Sequence, residues 1–125
     1  MGELTLSEPL SNAVISSPYG WRTLRSTGTR KFHYGTDYEA NVGTSVKASE
    51  SGKVIRASEH EALGEVVIID HAPKAGNRRH IYTLYAHLST YSVSQGDKVY
   101  IGDEIGLSGN TGHSTGPHLH FAVID

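Results

Sequence analysis

Apolar residues recur along this chain in short alternating or continuous runs, separated by glycine, asparagine and aspartate. No stretch sustains a helical period for several turns, and the pattern predicts an all-β molecule. Strands are expected at Tyr34–Tyr38, Ser45–Val46, Gly52–Ala57, Glu65–His71, Arg79–His87, Lys98–Tyr100, Glu104–Leu107 and His118–Ile124. The segment Glu65-Val66-Val67-Ile68-Ile69-Asp70 is nearly continuous in β-branched residues, which predicts a central strand. A loop over 72–77 then returns the chain to Arg79–His87 as its antiparallel neighbour. Short strands with turn residues between them point to an antiparallel β-sandwich or an open barrel. Residues 1–14 are weakly patterned and interrupted by Pro9, so they read as a lead-in segment, with the domain itself over 15–125.

Composition narrows the function classes. The 125 residues suit one domain, and 37% hydrophobic against 19% charged residues is too apolar for a disordered chain. A net charge of -2 argues against a nucleic-acid binder, which carries a basic excess on one face. Without cysteine there are neither disulfides nor thiolate metal sites. No apolar run approaches the ~20 residues of a membrane span, and the first residues lack the pattern of a secretory signal, so no export address is expected in this segment. Two counts stand apart: 14 glycines, which fit many tight turns, and 8 histidines, which direct attention to metal.

Three stretches carry candidate chemistry. His33 and Asp37 frame an HxxxD spacing. On a regular strand they would lie about 13 Å apart at ~3.3 Å per residue, too far to share an ion, so the chain must bend, and Gly35 is placed to permit it. In His118-Leu119-His120-Phe121-Ala122-Val123, alternation puts both histidines on one face and Leu119, Phe121 and Val123 on the other, towards a core. In Thr83-Leu84-Tyr85-Ala86-His87-Leu88, the same alternation predicts Tyr85 and His87 side by side, opposite Leu84, Ala86 and Leu88. The groups available are therefore His33, Asp37, His87, His118 and His120. A catalytic zinc takes about three protein ligands and keeps a position open for water. A mix of imidazole and carboxylate without sulfur favours that open kind, with histidines to spare for proton transfer and for the oxyanion.

Around these residues run further motifs: Ser17-Pro18-Tyr19-Gly20-Trp21-Arg22, His33-Tyr34-Gly35-Thr36-Asp37, Gly43-Thr44-Ser45-Val46 and Gly52-Lys53-Val54. Tyr82-Thr83-Leu84-Tyr85-Ala86-His87-Leu88 and Gly109-Asn110-Thr111-Gly112-His113-Ser114-Thr115-Gly116-Pro117-His118-Leu119-His120-Phe121 follow. In this order they resemble the zinc metallopeptidases of the lysostaphin or LytM type, the M23 peptidase family, over roughly residues 15–125. The resemblance implies a glycine-rich antiparallel β fold with a groove and a Zn2+ held by His33, Asp37 and His120. It also implies His87 and His118 as catalytic histidines, and peptide cross-links or stem peptides of bacterial peptidoglycan as the substrate of an extracytoplasmic endopeptidase. All five positions are intact here. Relatives often carry an acidic residue where this chain has Ala122, and Gly-Asn where it has Gly64-Glu65. The chain ends five residues after His120, as an excised catalytic domain would.

On this reading zinc makes a water nucleophilic near neutral pH. His118 orients or deprotonates it, His87 steadies the oxyanion or protonates the leaving amine, and Tyr85 is a further oxyanion donor. The alternative is a wall-binding or regulatory module of the same fold that does not hydrolyse. His60, His71, His80 and His113 are expected at the surface or in turns, with His113 nearest the groove. His60-Glu61 opens like HExxH, but Gly64 stands where the second histidine belongs. Residues 112–116 match GxSxG, yet Pro117 and a strand follow instead of the helix a nucleophile elbow requires. The basic clusters Arg22, Arg25, Arg30, Lys31 and Lys74, Arg78, Arg79 read as solvated loops, and Trp21 and Phe32 as core or groove wall.

Overall fold

The structure is a computed structural model that describes residues 9–10, 15–17, 20–23, 30–33, 35–71, 80–112 and 116–124; the side chains at 16–17, 20–23 and 30–33 lie outside the description. The described residues form eleven strands and no helix: β1 Ile15–Ser17, β2 Gly20–Thr23, β3 Arg30–His33, β4 Thr36–Glu39, β5 Ser45–Lys47, β6 Gly52–His60, β7 Gly64–Asp70, β8 Tyr82–Tyr91, β9 Lys98–Val99, β10 Glu104–Ser108 and β11 His118–Ile124. The expected all-β antiparallel architecture is the one observed. The main sheet runs β1-β4-β11-β8-β7-β6-β9, with β10 joining β8 to β5, and it does not close into a barrel; β2 and β3 form a separate hairpin.

β7 is interior to the sheet, between β6 and β8, and its β-branched run is buried on both faces at Val66, Val67 and Ile69. One face of the sheet carries the larger core, in which Val67, Ile69, Tyr85, Leu88, Leu119 and Phe121 pack with Val46 of β5, Val99 of β9, Ile105 of β10 and Leu10. Removing each such large side chain from water contributes roughly 1.5–3 kcal/mol. Leu10 is 4% exposed, and the Pro9 carbonyl accepts from Lys47 N–H at 2.8 Å, which fixes this part of the lead-in against β5. The opposite face holds a smaller cluster of Val66, Leu84, Ala86 and Ala122. His118 and His120 alternate with Leu119 and Phe121, and therefore project on this second face.

The expected strands are present with two informative differences. β8 does not stop at His87 but continues to Tyr91. Its ladder to β7 pairs Val67 with Tyr85 and then Glu65 with Leu88, so Ala86 and His87 together occupy the slot opposite Val66, a β-bulge. The second difference lies before Asp37. β3 ends at His33 in the hairpin, and β4 enters the main sheet at Thr36, so the chain changes sheets between the two residues of the HxxxD motif.

Candidate active site

The site assembles where β4, β11 and β8 lie side by side. His120 is in register with Asp37 on one side and with Ala86 on the other. The Asp37 Oδ1 and His120 Nδ1 atoms meet at 2.7 Å, and His118 Nε2 stands 3.8 Å from the same carboxylate oxygen. The His87 ring lies 4.8 Å from that of His118 and 6.2 Å from that of His120, centroid to centroid. Residues from positions 37, 87, 118 and 120 thus converge, as the sequence expects. The His33 side chain lies outside the described residues, and among those described no three histidine or acidic groups form a cluster able to hold a metal ion.

Gly35 is required by proximity. A Cβ there would stand 2.7 Å from Cε1 and Nε2 of His120 and from the Phe121 carbonyl, so any side chain would displace the ring that faces Asp37. Gly35 thus does more than permit a bend.

The ring ties divide the histidines. His87 Nδ1 donates to the Thr111 carbonyl at 2.6 Å and His118 Nδ1 donates to the Gly116 carbonyl at 2.8 Å; a carbonyl only accepts, so both rings carry a proton on Nδ1 and, when neutral, an acceptor on Nε2. His120 instead turns Nδ1 to the Asp37 carboxylate. Burial pushes the His87 pKa below its ordinary 6.5; the Thr111 carbonyl and Asp37 act in the opposite direction, while His118 and His120 lower it further.

Three expectations need correction. Tyr85 does not share a face with His87, because the bulge puts two successive residues on one side and His87 adopts φ 60°. Tyr85 points into the larger core, fully buried, where its ring packs against Phe121 at 5.3 Å. Its hydroxyl accepts from Ser49 N–H at 3.0 Å and shares a hydrogen bond with Thr83 Oγ1 at 2.8 Å, so it is no oxyanion donor. His71 is not a surface residue either. It is 7% exposed, with Nδ1 donating to the Ser51 carbonyl at 3.0 Å and Nε2 bonded to Thr83 Oγ1 at 2.7 Å. Sequence pattern offers no signal for this buried chain of polar groups, since each member is separately an ordinary strand or turn residue. Val123, expected in the core, is 51% exposed.

His60 and His80 behave as expected. His60 Nδ1 accepts from the N–H groups of Ala62 and Leu63, both at 3.1 Å, and so caps the β6–β7 turn, while His80 is exposed and pairs with Asp70 at 3.0 Å. His113, Arg25, Lys74, Arg78 and Arg79, together with the side chains of Trp21, Arg22, Arg30, Lys31 and Phe32, lie outside the described residues.

Residues 31–125 match the model of peptidase family M23. The chain belongs to this family. The M23 domain is 44% identical over 114 residues to the DD-carboxypeptidase/endopeptidase Mpg of Neisseria meningitidis, a match covering 91% of this chain and 25% of that protein. To the peptidoglycan DD-endopeptidase ShyA of Vibrio cholerae it is 43% identical over 111 residues, covering 88% and 24%. A solved zinc-containing peptidase from Vibrio cholerae superposes with a TM-score of 0.82 at 34% identity, over 98% of this M23 chain and 37% of the other. The chain thus spans about a quarter of the length of these two curated relatives.

Proposed function

We propose that the chain is a zinc-dependent endopeptidase acting on peptide cross-links or stem peptides of bacterial peptidoglycan, working outside the cytoplasm. The observation that carries this reading is the division of ring nitrogens. Asp37 Oδ1 and His120 Nδ1 stand 2.7 Å apart, which brings a carboxylate and an imidazole donor to one place, while His87 and His118 both have Nδ1 tied to main-chain carbonyls, so Nε2 is the nitrogen of each ring turned away from that tie. The donor set fits zinc: imidazole and carboxylate, a close approach that only Gly35 allows, and no thiolate to make a closed structural site. His33, Asp37 and His120 would hold the ion.

Bound there, zinc would supply a Lewis acid that polarises the scissile carbonyl and acidifies water. The chain's own residues do the rest. His118 Nε2, near the Asp37 carboxylate, orients the attacking water. His87, neutral because burial disfavours its charged form, accepts a proton at Nε2, and the imidazolium so formed returns that proton to the leaving amine. The tie of His87 Nδ1 to the Thr111 carbonyl supports this order of events, because Nε2 of that ring donates only after it has taken a proton. Mpg and ShyA are named as DD-specific peptidases, which supports a wall-peptide substrate here, and no helix among the described residues is long and apolar enough to cross a membrane.

The test is a set of variants assayed on purified cell walls and by metal analysis. His87→Ala and His118→Ala keep zinc but lose cleavage by about 10²- to 10⁴-fold, whereas His33→Ala, Asp37→Ala and His120→Ala lose both. Stoichiometric zinc without any cleavage by the unaltered protein would identify the non-hydrolytic module instead.

A further inference from the structure

The bulge that presents His87 leaves a gap in the β7–β8 ladder. Glu65 and Leu88 are partners in register, but their main-chain groups are bridged by a side chain from elsewhere. Glu65 N–H donates to Thr111 Oγ1 at 3.0 Å, and that hydroxyl donates to the Leu88 carbonyl at 2.6 Å. The threonine hydroxyl is thus spliced into the ladder at the point where the extra residue of the bulge has interrupted it. The carbonyl of the same residue accepts from His87 Nδ1 at 2.6 Å. Space for this approach is cleared by two glycines in the left-handed region, Gly64 at φ 69° and Gly112 at φ 73°. A Cβ on Gly64 would collide with Thr111, and one on Gly112 would collide with Gly64.

We propose that Thr111 is a positioning residue of the catalytic centre: its hydroxyl locks it to both strands of the bulge, and its carbonyl thereby fixes His87 as the Nδ1–H tautomer, leaving Nε2 as the proton acceptor. The inference rests on the reading of His87 as a catalytic group. Without the hydroxyl the carbonyl is no longer held against the bulge, and the neutral ring is free to exchange its proton between the two nitrogens. Valine preserves the branched shape and removes the hydroxyl; serine preserves the hydroxyl.

The experiment combines kinetics with long-range 1H–15N spectra of the His87 ring in the zinc-saturated protein. The unaltered protein and Thr111→Ser should show a protonated Nδ1 and kcat values within about twofold of each other. Thr111→Val should show averaging of the two ring nitrogens and a kcat lowered by about tenfold or more, with KM and zinc content unchanged. A proton on Nε2 in the unaltered protein, or Thr111→Val with full kcat, overturns the proposal. Should Thr111→Val fail to fold, the decision passes to Thr111→Ser and the unaltered protein: loss of the Nδ1 proton in either overturns it, and its retention in both with full activity supports it. The outcome is separable from the functional reading, because His87→Ala cleaving at the unaltered rate would remove His87 from catalysis without touching the tautomer measurement.

Discussion

His87 concentrates the strain of the site in one residue. Its φ of 60° is disfavoured for a residue with a Cβ by roughly 1–2 kcal/mol, and it persists because the surroundings over-determine it: its N–H donates to the Leu63 carbonyl at 2.7 Å and its ring to Thr111. Burial then lowers its pKa, with a sign that sets two pH dependences. Between the ordinary value of 6.5 and the lower folded value, the unfolded chain binds a proton that the folded chain does not, so this residue's contribution to stability falls as pH falls through that window. The same shift keeps the ring neutral, and able to accept a proton, into mild acid. Protonation of the His87 ring, followed by NMR, is therefore expected to have its midpoint below 6.5, with zinc content checked at every pH; a midpoint above 6.5 would contradict the role given to His87.

Among the elements, the alternating and β-branched patterns were sufficient to expect β7, β8 and β11, the antiparallel pairing of β7 with β8, and the common face of His118 and His120. Three short strands, β1, β2 and β3, carried no usable pattern, being only three or four residues long, with Pro18 and Tyr19 between the first two. The bulge in β8 was equally invisible, because a period-2 reading assigns faces by counting and one extra residue reverses every later assignment. That is why Tyr85 was expected beside His87 and is found on the other face, in a chain of hydrogen bonds that links Ser49 N–H, Tyr85, Thr83, the His71 ring and the Ser51 carbonyl. This chain ties the β5–β6 turn to the ends of β7 and β8 from within the core. Tyr85→Phe removes its central hydroxyl and leaves the buried Ser49 N–H without that partner, which is expected to destabilise the domain by about 1–3 kcal/mol. Thermal or denaturant unfolding would measure that loss. Cleavage per folded molecule should stay unchanged, whereas a selective fall in kcat would restore Tyr85 to the reacting groups.

At the scale of the whole molecule, the site is a junction of distant chain segments: Asp37 and His120 are 83 positions apart in sequence, and they meet only because β11 inserts between β4 and β8. Such pairing closes a long loop before it gains contacts, which makes the junction slow to form. A cation shared by His33, Asp37 and His120 would join the β2–β3 hairpin to the neighbouring strands β4 and β11 of the main sheet at a single point, and would bind the folded chain in preference to the unfolded one. Mass action then links occupancy to stability: at a free zinc concentration about a hundredfold above Kd the folded state gains about 2.7 kcal/mol, or ~10 °C in Tm for a domain of this size. The expected result is that chelation abolishes wall cleavage and lowers Tm, and that restoring zinc reverses both. If Asp37 is a ligand as proposed, Asp37→Asn should melt at the same temperature with and without the metal. His118→Ala should keep the metal-dependent rise in Tm while losing activity, and a His118→Ala protein whose melting ignores zinc would show that His118 belongs among the ligands.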